Sequence, residues 1–370
     1  MRSGFFELSP YVEGCSSRSR EYVSRFLAWA GCDPGGIRRS IGRQFGEIHD
    51  ILYVSTITNG LAGSTSDIDV ILVVADKDLA VERMSTRIFS GSRRIGVTAY
   101  SHREIVEAIS RVRALEPLPA SEVQRTRAAW DGSQQICWTD LIRCINGYSF
   151  ESSMPYLDGL PALSVVTYVT AFEQFRRAVA LCWLSAAAQE RRGCQGYALT
   201  ALRELMDAFM ARYGQVNSGA KWVFERWQRF ESASGNPSGS LRQRISRELR
   251  ATIASLKQPS QETSVPSDVG ARMLDLYHEA CALQGVDIVE DRSPLYWRDE
   301  LDFLPFVENT SFVGHRSGKF VLVHAGSKED FAGFEMVTPS LAAEQASALV
   351  ALFRAGFVDV PLNTCFTAAH

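Results

Sequence analysis

No two cysteines of this chain stand in a Cys-x-x-Cys pair. The eight, at positions 15, 32, 137, 144, 182, 194, 281 and 365, are scattered, which argues against a zinc ribbon or finger. They read as small, reduced core residues of a cytoplasmic protein, Cys182 falling inside an apolar helical pattern. The six histidines (49, 102, 278, 315, 324 and 370) offer no His-x-x-x-His or Glu-x-x-His spacing, so no metal-binding helix is expected. Met1–Pro10 lacks a basic start followed by an apolar run, so no secretory signal is expected. A long uninterrupted apolar run is also missing. The most apolar segment, Val165–Ala188, is broken by Glu173, Gln174, Arg176 and Arg177, so it reads as a buried helix and no membrane partner is expected. Charge of either sign is not in excess: the net charge of −3 gives no electrostatic reason to expect a nucleic-acid partner. No repeat of fixed period is present.

What is present is an ordinary globular composition, 46% hydrophobic and 22% charged over 370 residues, enough for two or three domains. Ser19–Ala30 carries apolar residues at the spacing of one helix face, and Gly31–Gly36 breaks it before a second helix over Ile37–Ile48. Ile51–Ile57 and Ile68–Val74 read as strands around a turn-rich stretch. A helix over Leu79–Phe89 and a third strand over Ile95–Tyr100 follow. From His102 the pattern is helical, with Arg103–Ala114, Ser121–Asn146 broken near Asp131–Gly132, Leu163–Arg191, Gly196–Tyr213, Lys221–Phe230, Leu241–Leu256 and Ser267–Gln284. Lys257–Pro266 reads as an exposed linker. The C-terminal part changes again: short strands at Ser311–Gly314, Lys319–His324 and Phe334–Val337 precede a helix from Ser340 to Ala355. That helix is capped by Ser340 and stopped at Gly356. The expected class is α+β: an N-terminal mixed-sheet domain over 1–115, a helical domain over 116–292, and a small α+β module, loosely winged-helix-like, over 293–370.

The string that carries chemistry is Ser55-Thr56-Ile57-Thr58-Asn59-Gly60-Leu61-Ala62-Gly63-Ser64-Thr65-Ser66-Asp67-Ile68-Asp69-Val70. Strand alternation puts Asp67 and Asp69 on one face and Ile68 on the other. Two carboxylates so placed suit Mg²⁺, a hard cation that takes oxygen ligands and substrate phosphates. Small residues ahead of them let backbone approach a triphosphate, and Ser and Thr hydroxyls donate to its oxygens. An Asp-x-Asp alone is common on surfaces. The preceding strand and small-residue turn favour the metal reading over that bland one. Gly60–Ser66 is not a Walker loop, because the lysine is missing and a strand follows rather than a helix.

This string resembles that of the polymerase-beta-like nucleotidyltransferases, which include aminoglycoside nucleotidyltransferases and small bacterial toxin-antitoxin members. They carry a Gly-Ser turn, about ten residues, and then Asp-hydrophobic-Asp. The resemblance sets the family's Gly-Ser on Ser55-Thr56, its mid-turn glycine on Gly60 and its aspartates on Asp67 and Asp69; it is specific over Tyr53–Val74 and diffuse elsewhere. It implies a small mixed sheet with helices on one side, followed by a helical domain closing over the nucleotide. The chain departs from the family in two ways. Ser55 replaces the first glycine, losing freedom at positive φ. The family's third carboxylate, expected on Ile95–Tyr100, meets Gly96 and Thr98, neither a general base near neutral pH.

Lys221, in Asn217-Ser218-Gly219-Ala220-Lys221-Trp222, opens a helix and looks like the phosphate-contacting lysine of some family members; a solvated lysine is its plain alternative. Glu104 and Glu107 are candidates for a displaced carboxylate only by nearness in sequence, and His102 reads as a surface histidine. Arg93-Arg94 is either a basic edge or a solvated turn. Trp222, Phe224, Trp227 and Phe230 read as core.

The expectation is Mg²⁺-dependent transfer of a nucleoside monophosphate, AMP from ATP, to a small-molecule or peptide acceptor of specialised metabolism. Asp67 and Asp69 are the metal-binding and catalytic residues. Ser55, Thr56, Gly60, Ser66 and Lys221 are the nucleotide-binding ones. The alternatives are a non-catalytic nucleotide- or substrate-binding protein on a degenerate transferase domain, and an antibiotic-modifying adenylyltransferase.

Overall fold

The computed structural model describes residues 8–45, 48–75, 86–90, 93–133, 136–217, 219–232, 239–257, 267–282, 296–297, 301–307, 310–315, 319–323, 325, 331 and 342–359. The fold is mixed α and β, as the sequence implies. The chain divides into two compact units that interleave in sequence. One comprises residues 1–170 and 207–228, the other 171–206 and 229–370. The expected boundary near 115 falls inside the first unit, and the one near 292 lies outside the described residues.

In the first unit, α1 (Ser9–Ala30) and α2 (Pro34–Phe45) are separated by Gly31, whose φ of 69° supplies the left-handed stop. Strands β1 (Ile48–Tyr53), β2 (Ile68–Val74), β3 (Thr86–Ser90) and β4 (Arg93–Ser101) form a mixed sheet in the order β1-β2-β4-β3. β2 runs antiparallel to β1 and parallel to β4. The stretch expected as a helix over Leu79–Phe89 is corrected in part. Thr86–Ser90 is an edge strand paired antiparallel to β4, Ile88 opposite Ile95, and residues 79–85 lie outside the described ones. Its β-branched Thr and Ile fit a pleated surface better than a helix.

Alternation sorts the sheet into two faces. Ile51, Ile68, Val70, Leu72, Ile95 and Val97 pack with Val23, Phe26 and Leu27 of α1 and Ile37 and Ile41 of α2. On the opposite face Leu52, Ile71, Val73 and Tyr100 are also buried. There the chain continues as α3 (His102–Leu115), α4 (Ala120–Ser133) and α5 (Trp138–Ile145). A Cβ on Gly147, just past α5, would stand 3.1 Å from the Leu52 Cβ, so backbone lies directly against the sheet. Helices thus cover both faces, not one.

α3 starts at a capping box: Ser101 Oγ accepts from Glu104 N at 3.1 Å, and Ser101 N donates to Glu104 Oε2 at 2.9 Å. Glu104 is therefore spent on the helix start. The linker between β1 and β2 is an internally bonded turn. Leu61 N donates to Thr56 O at 2.8 Å, and Thr58 Oγ1 and Asn59 Nδ2 both donate to Ser55 O at 2.9 Å. The strand expected as far as Ile57 ends at Tyr53, because Ser55 turns the chain with φ 65°.

α6 (Leu160–Ala187), α7 (Arg191–Arg212) and α8 (Val223–Ser232) each contribute residues to both units. In α6, Glu173 and Arg176 are each 1% exposed and pair at 3.9 Å. No helix among the described residues is long and apolar enough to cross a membrane. The second unit also holds α9 (Ser240–Lys257), α10 (Ser267–Ala282), the strand pair β5 (Tyr296–Trp297) and β9 (Val358–Asp359), and α11 (Ala343–Ala355). A three-stranded antiparallel sheet, β6 (Leu301–Val307), β7 (Thr310–His315) and β8 (Lys319–Val323), completes it. The strand expected at 311–314 is present, as is that at 319–324 up to Val323, residue 324 lying outside the described ones; β6 was not anticipated. Gly356, at φ 76°, stops α11 as the sequence suggests. Phe334–Val337, Ser340 and most of Lys257–Pro266 lie outside the described residues.

Gly60 combines φ 66° with a Cβ position 2.9 Å from two carbons of the Tyr22 ring. Gly60→Ala is expected to destabilise the protein by about 1–3 kcal/mol through strain and overlap. Gly63→Ala, with open space at its Cβ, is the control expected within about 0.5 kcal/mol. Urea denaturation of both variants checks this, and equal costs would contradict it.

Candidate functional site

Asp67 ends the turn and Asp69 is the second residue of β2. Ile68 between them is fully buried in the core beneath α1 and α2, so both carboxylates leave the other face. Their charges are close enough that Asp67 raises the pKa of Asp69. Asp67 is exposed and lies 3.5 Å from Arg94 Nε. The neighbouring Arg93 donates to Ser64 O at 2.8 Å and stacks 4.5 Å from the centre of the Trp29 ring. The Arg93-Arg94 pair thus holds down the end of the turn, a role its sequence did not reveal.

Asp69 is half-buried, and burial is the largest influence on its carboxyl, pushing the pKa above the usual aspartate value. The Arg143 guanidinium and the Ser55 hydroxyl oppose that rise, while Asp67 and Asp140 add to it. Ser55 takes the left-handed conformation at the place where the resembling family has glycine. An L-residue pays about 1–2 kcal/mol for that conformation. In return, the turn brings the Ser55 hydroxyl to Asp69. The approach is too poor in geometry for a full hydrogen bond, and Oγ is otherwise buried without a partner.

The parallel register sets Asp69 opposite Gly96 and Ile71 opposite Thr98. A Cβ on Gly96 would be 2.9 Å from Asp69 Oδ1. The carboxylate occupies the space that any side chain at 96 would need. No carboxylate stands on this part of β4. An acidic neighbour from elsewhere that acts on Asp69 is Asp140 on α5. Its Oδ2 accepts from the Tyr100 hydroxyl at 2.9 Å and its Oδ1 from Arg143 Nη1 at 3.0 Å. Burial first, then Asp140, raises the Tyr100 pKa, so the phenol stays a donor.

Of the other expected residues, Thr56 is half-buried in the turn and lends its carbonyl to Leu61. Ser66 Oγ accepts from Gly63 N at 2.9 Å and so staples the loop. Gly60 is required by backbone geometry. Lys221 belongs to the same unit. Contrary to expectation it does not open a helix. It sits exposed in a 3-10 turn, Ala220–Trp222, ahead of α8, with Nζ 5.2 Å from the Trp222 ring centre. No contact joins it to Asp67 or Asp69. Glu107 is exposed on α3, 4.0 Å from Arg103, and His102 is exposed with Nδ1 bonded to the Tyr156 hydroxyl at 2.9 Å.

Sequence reasoning missed Tyr100, Asp140 and Arg143, and left Arg94 between a basic edge and a solvated turn. Asp140 and Arg143 are one helical turn apart, which is visible in the sequence; that α5 lies beside β2 is not. Among the described residues, no three His, Cys, Asp or Glu side chains gather as a metal cluster. Two carboxylates on one side of a strand still fit Mg²⁺ of the kind delivered with a nucleotide. That ion needs only one or two protein carboxylates beside phosphate oxygens and water.

Because burial raises the folded-state pKa of Asp69, the native state holds a proton that the unfolded chain releases earlier. The group therefore contributes stability at low pH that is lost as pH rises through its folded pKa. Asp69→Asn mimics the protonated form. At pH 7 it is expected to melt at or above the wild-type temperature, with the gap closing as pH falls through the carboxylate range. Thermal melts from pH 3.5 to 7.5 check this; a variant clearly less stable at pH 7 would show that Asp69 serves the fold instead.

A search of curated proteins finds no match to this chain. A family model described as a family of unknown function (DUF6001) matches residues 13–360, nearly the whole chain, including the Asp67/Asp69 turn, the facing strand and α5. The chain belongs to that family.

Proposed function

We propose that the first unit is a nucleotidyltransferase domain that transfers a nucleoside monophosphate, AMP from ATP as the leading case, to a small-molecule or peptide acceptor. The observation that carries this reading is the backbone of Ser55. A non-glycine residue held at φ 65°, with its hydroxyl buried against Asp69, is hard to account for as packing alone. Strain of this kind clusters at sites where geometry serves chemistry. It also falls where the resemblance calls for glycine.

In this reading Asp67 and Asp69 present oxygens to Mg²⁺, which when bound would orient the triphosphate and offset charge on the departing pyrophosphate. Ser55 and Thr56 line the phosphates with hydroxyl and backbone donors. Asp67 must leave Arg94 to do this. The pair is partly exposed at 3.5 Å, and such pairs are worth about 0–1 kcal/mol. Lys221 is within the unit and has only a ring contact to give up.

A second reading, a nucleotide-binding protein without turnover, is favoured by one observation: Gly96, where Asp69 itself fills the space of a third carboxylate. Isothermal titration with each nucleoside triphosphate, with and without Mg²⁺, followed by pyrophosphate release, separates the two.

Asp67→Asn and Asp69→Asn are each expected to lower Mg²⁺-dependent nucleotide affinity by a factor on the order of ten or more, while the folded state survives. Titration calorimetry beside a thermal melt checks this. Unchanged affinity in both variants would remove the metal site, and with it the proposed function.

A further inference from the structure

We infer that the acceptor is a carboxylate, docked on Arg143 and attacking the α-phosphorus without a general base; this rests on the nucleotidyltransferase reading. A hydroxyl or ammonium nucleophile must hand its proton to a base within hydrogen-bond reach. The described residues around Asp69 leave no group for that task. Gly96 faces Asp69 and its side-chain space is filled. Thr98 comes next on that face. Both Asp140 oxygens are engaged, by Tyr100 and by Arg143. Glu104 is buried in the capping box of α3, Glu107 pairs with Arg103 on an exposed helix face, and His102 follows the far end of β4, roughly 20 Å along the strand from Gly96 at about 3.3 Å per residue. A carboxylate acceptor needs none of these, because it is already ionised at neutral pH.

The positive group it would meet is Arg143. This guanidinium acts on Asp69 through its charge and is anchored through one nitrogen only, Nη1 on Asp140. Nε is buried without a hydrogen-bond partner, and Nη2 donates to no described residue. A buried donor left unpaired is costly. Nε and Nη2 together form the fork edge that matches a carboxylate in bidentate fashion. Asp140 and Tyr100 are then positioning residues, holding the guanidinium so that this edge stays without a protein partner.

The step balances without an added reagent. One carboxylate oxygen forms a bond to the α-phosphorus. The bond from that phosphorus to the bridging oxygen of the β-phosphate breaks, and its electron pair leaves with pyrophosphate. The product is an acyl nucleoside monophosphate, a mixed anhydride, and no proton changes hands.

The test uses the full chain with Mg²⁺ and each nucleoside triphosphate in turn. Exchange of labelled pyrophosphate into the triphosphate is measured with a pool of carboxylic acids: the twenty amino acids with aliphatic and aromatic mono- and dicarboxylates. It is repeated with a pool of alcohols and amines, including sugars and aminoglycosides. Hydroxylamine is added in parallel, to trap an acyl product as its hydroxamate. Expected are exchange and hydroxamate with the acid pool alone, and no rising limb in kcat/KM across neutral pH. Arg143→Lys is expected to raise the KM for the acid by a factor on the order of ten or more while nucleotide affinity holds. Transfer to the alcohol or amine pool, or Mg²⁺-dependent nucleotide binding with no acid-dependent exchange, overturns the carboxylate acceptor. Absence of Mg²⁺-dependent nucleotide binding altogether overturns the nucleotidyltransferase reading instead.

Discussion

A charged side chain held partly out of water is the constraint around which the first unit is arranged. Removing a carboxylate from solvent disfavours its ionised form, and Asp69 pays that cost at the second position of a central strand. Everything near it bears on the cost. Gly96 gives up its side chain so that the carboxylate has somewhere to lie. Ser55 adopts a left-handed backbone that brings a hydroxyl to it. Arg143, fixed by Asp140 and Tyr100, supplies the opposing charge. A core that needed only apolar contact would have placed a valine at 69, as at Val70 and Val73 on the same strand.

The parts of this arrangement that depend on neighbours in sequence were readable beforehand. Asp67 and Asp69 share a side because strand period is two, and Ile68 is buried for the same reason. The stops at Gly31 and Gly356 follow from the one residue type that takes positive φ cheaply. The register that sets Gly96 against Asp69 is a pairing between strands 27 positions apart, and no local pattern specifies it. Arg143 and Asp140 are further still. Their helix was foreseen within Ser121–Asn146, but which sheet face it would cover was not. Ser55 shows the opposite error. Its residue type argues against a left-handed turn, yet it takes one, in a turn where Thr58 and Asn59 both donate to its carbonyl. The edge strand Thr86–Ser90 was mistaken for a helix because its apolar positions fit either period over so short a run.

The second unit buries charge in another way, as an ion pair within a single helix. Glu173 and Arg176 pair at 3.9 Å inside α6 with almost no exposure. Cys182 and Cys194 lie with sulfurs 3.7 Å apart, both buried. The hydrogen bond with the Cys194 thiol, and then burial, keep Cys182 protonated. These features show how an apolar segment interrupted by polar residues settles within helix packing. They offer no counterpart to the half-open, strained geometry around Asp69.

The proposed metal site can be probed directly. With Fe²⁺ substituted for Mg²⁺ in the presence of a nucleoside triphosphate, hydroxyl radicals generated by peroxide and ascorbate cut the backbone closest to the ion. Mass spectrometry of the fragments should find nucleotide-dependent cleavage concentrated between Ser55 and Val70, with a weaker set about Gly96. Cleavage centred elsewhere in the chain, or a pattern indifferent to the nucleotide, would contradict the placement of a metal-nucleotide site on this strand.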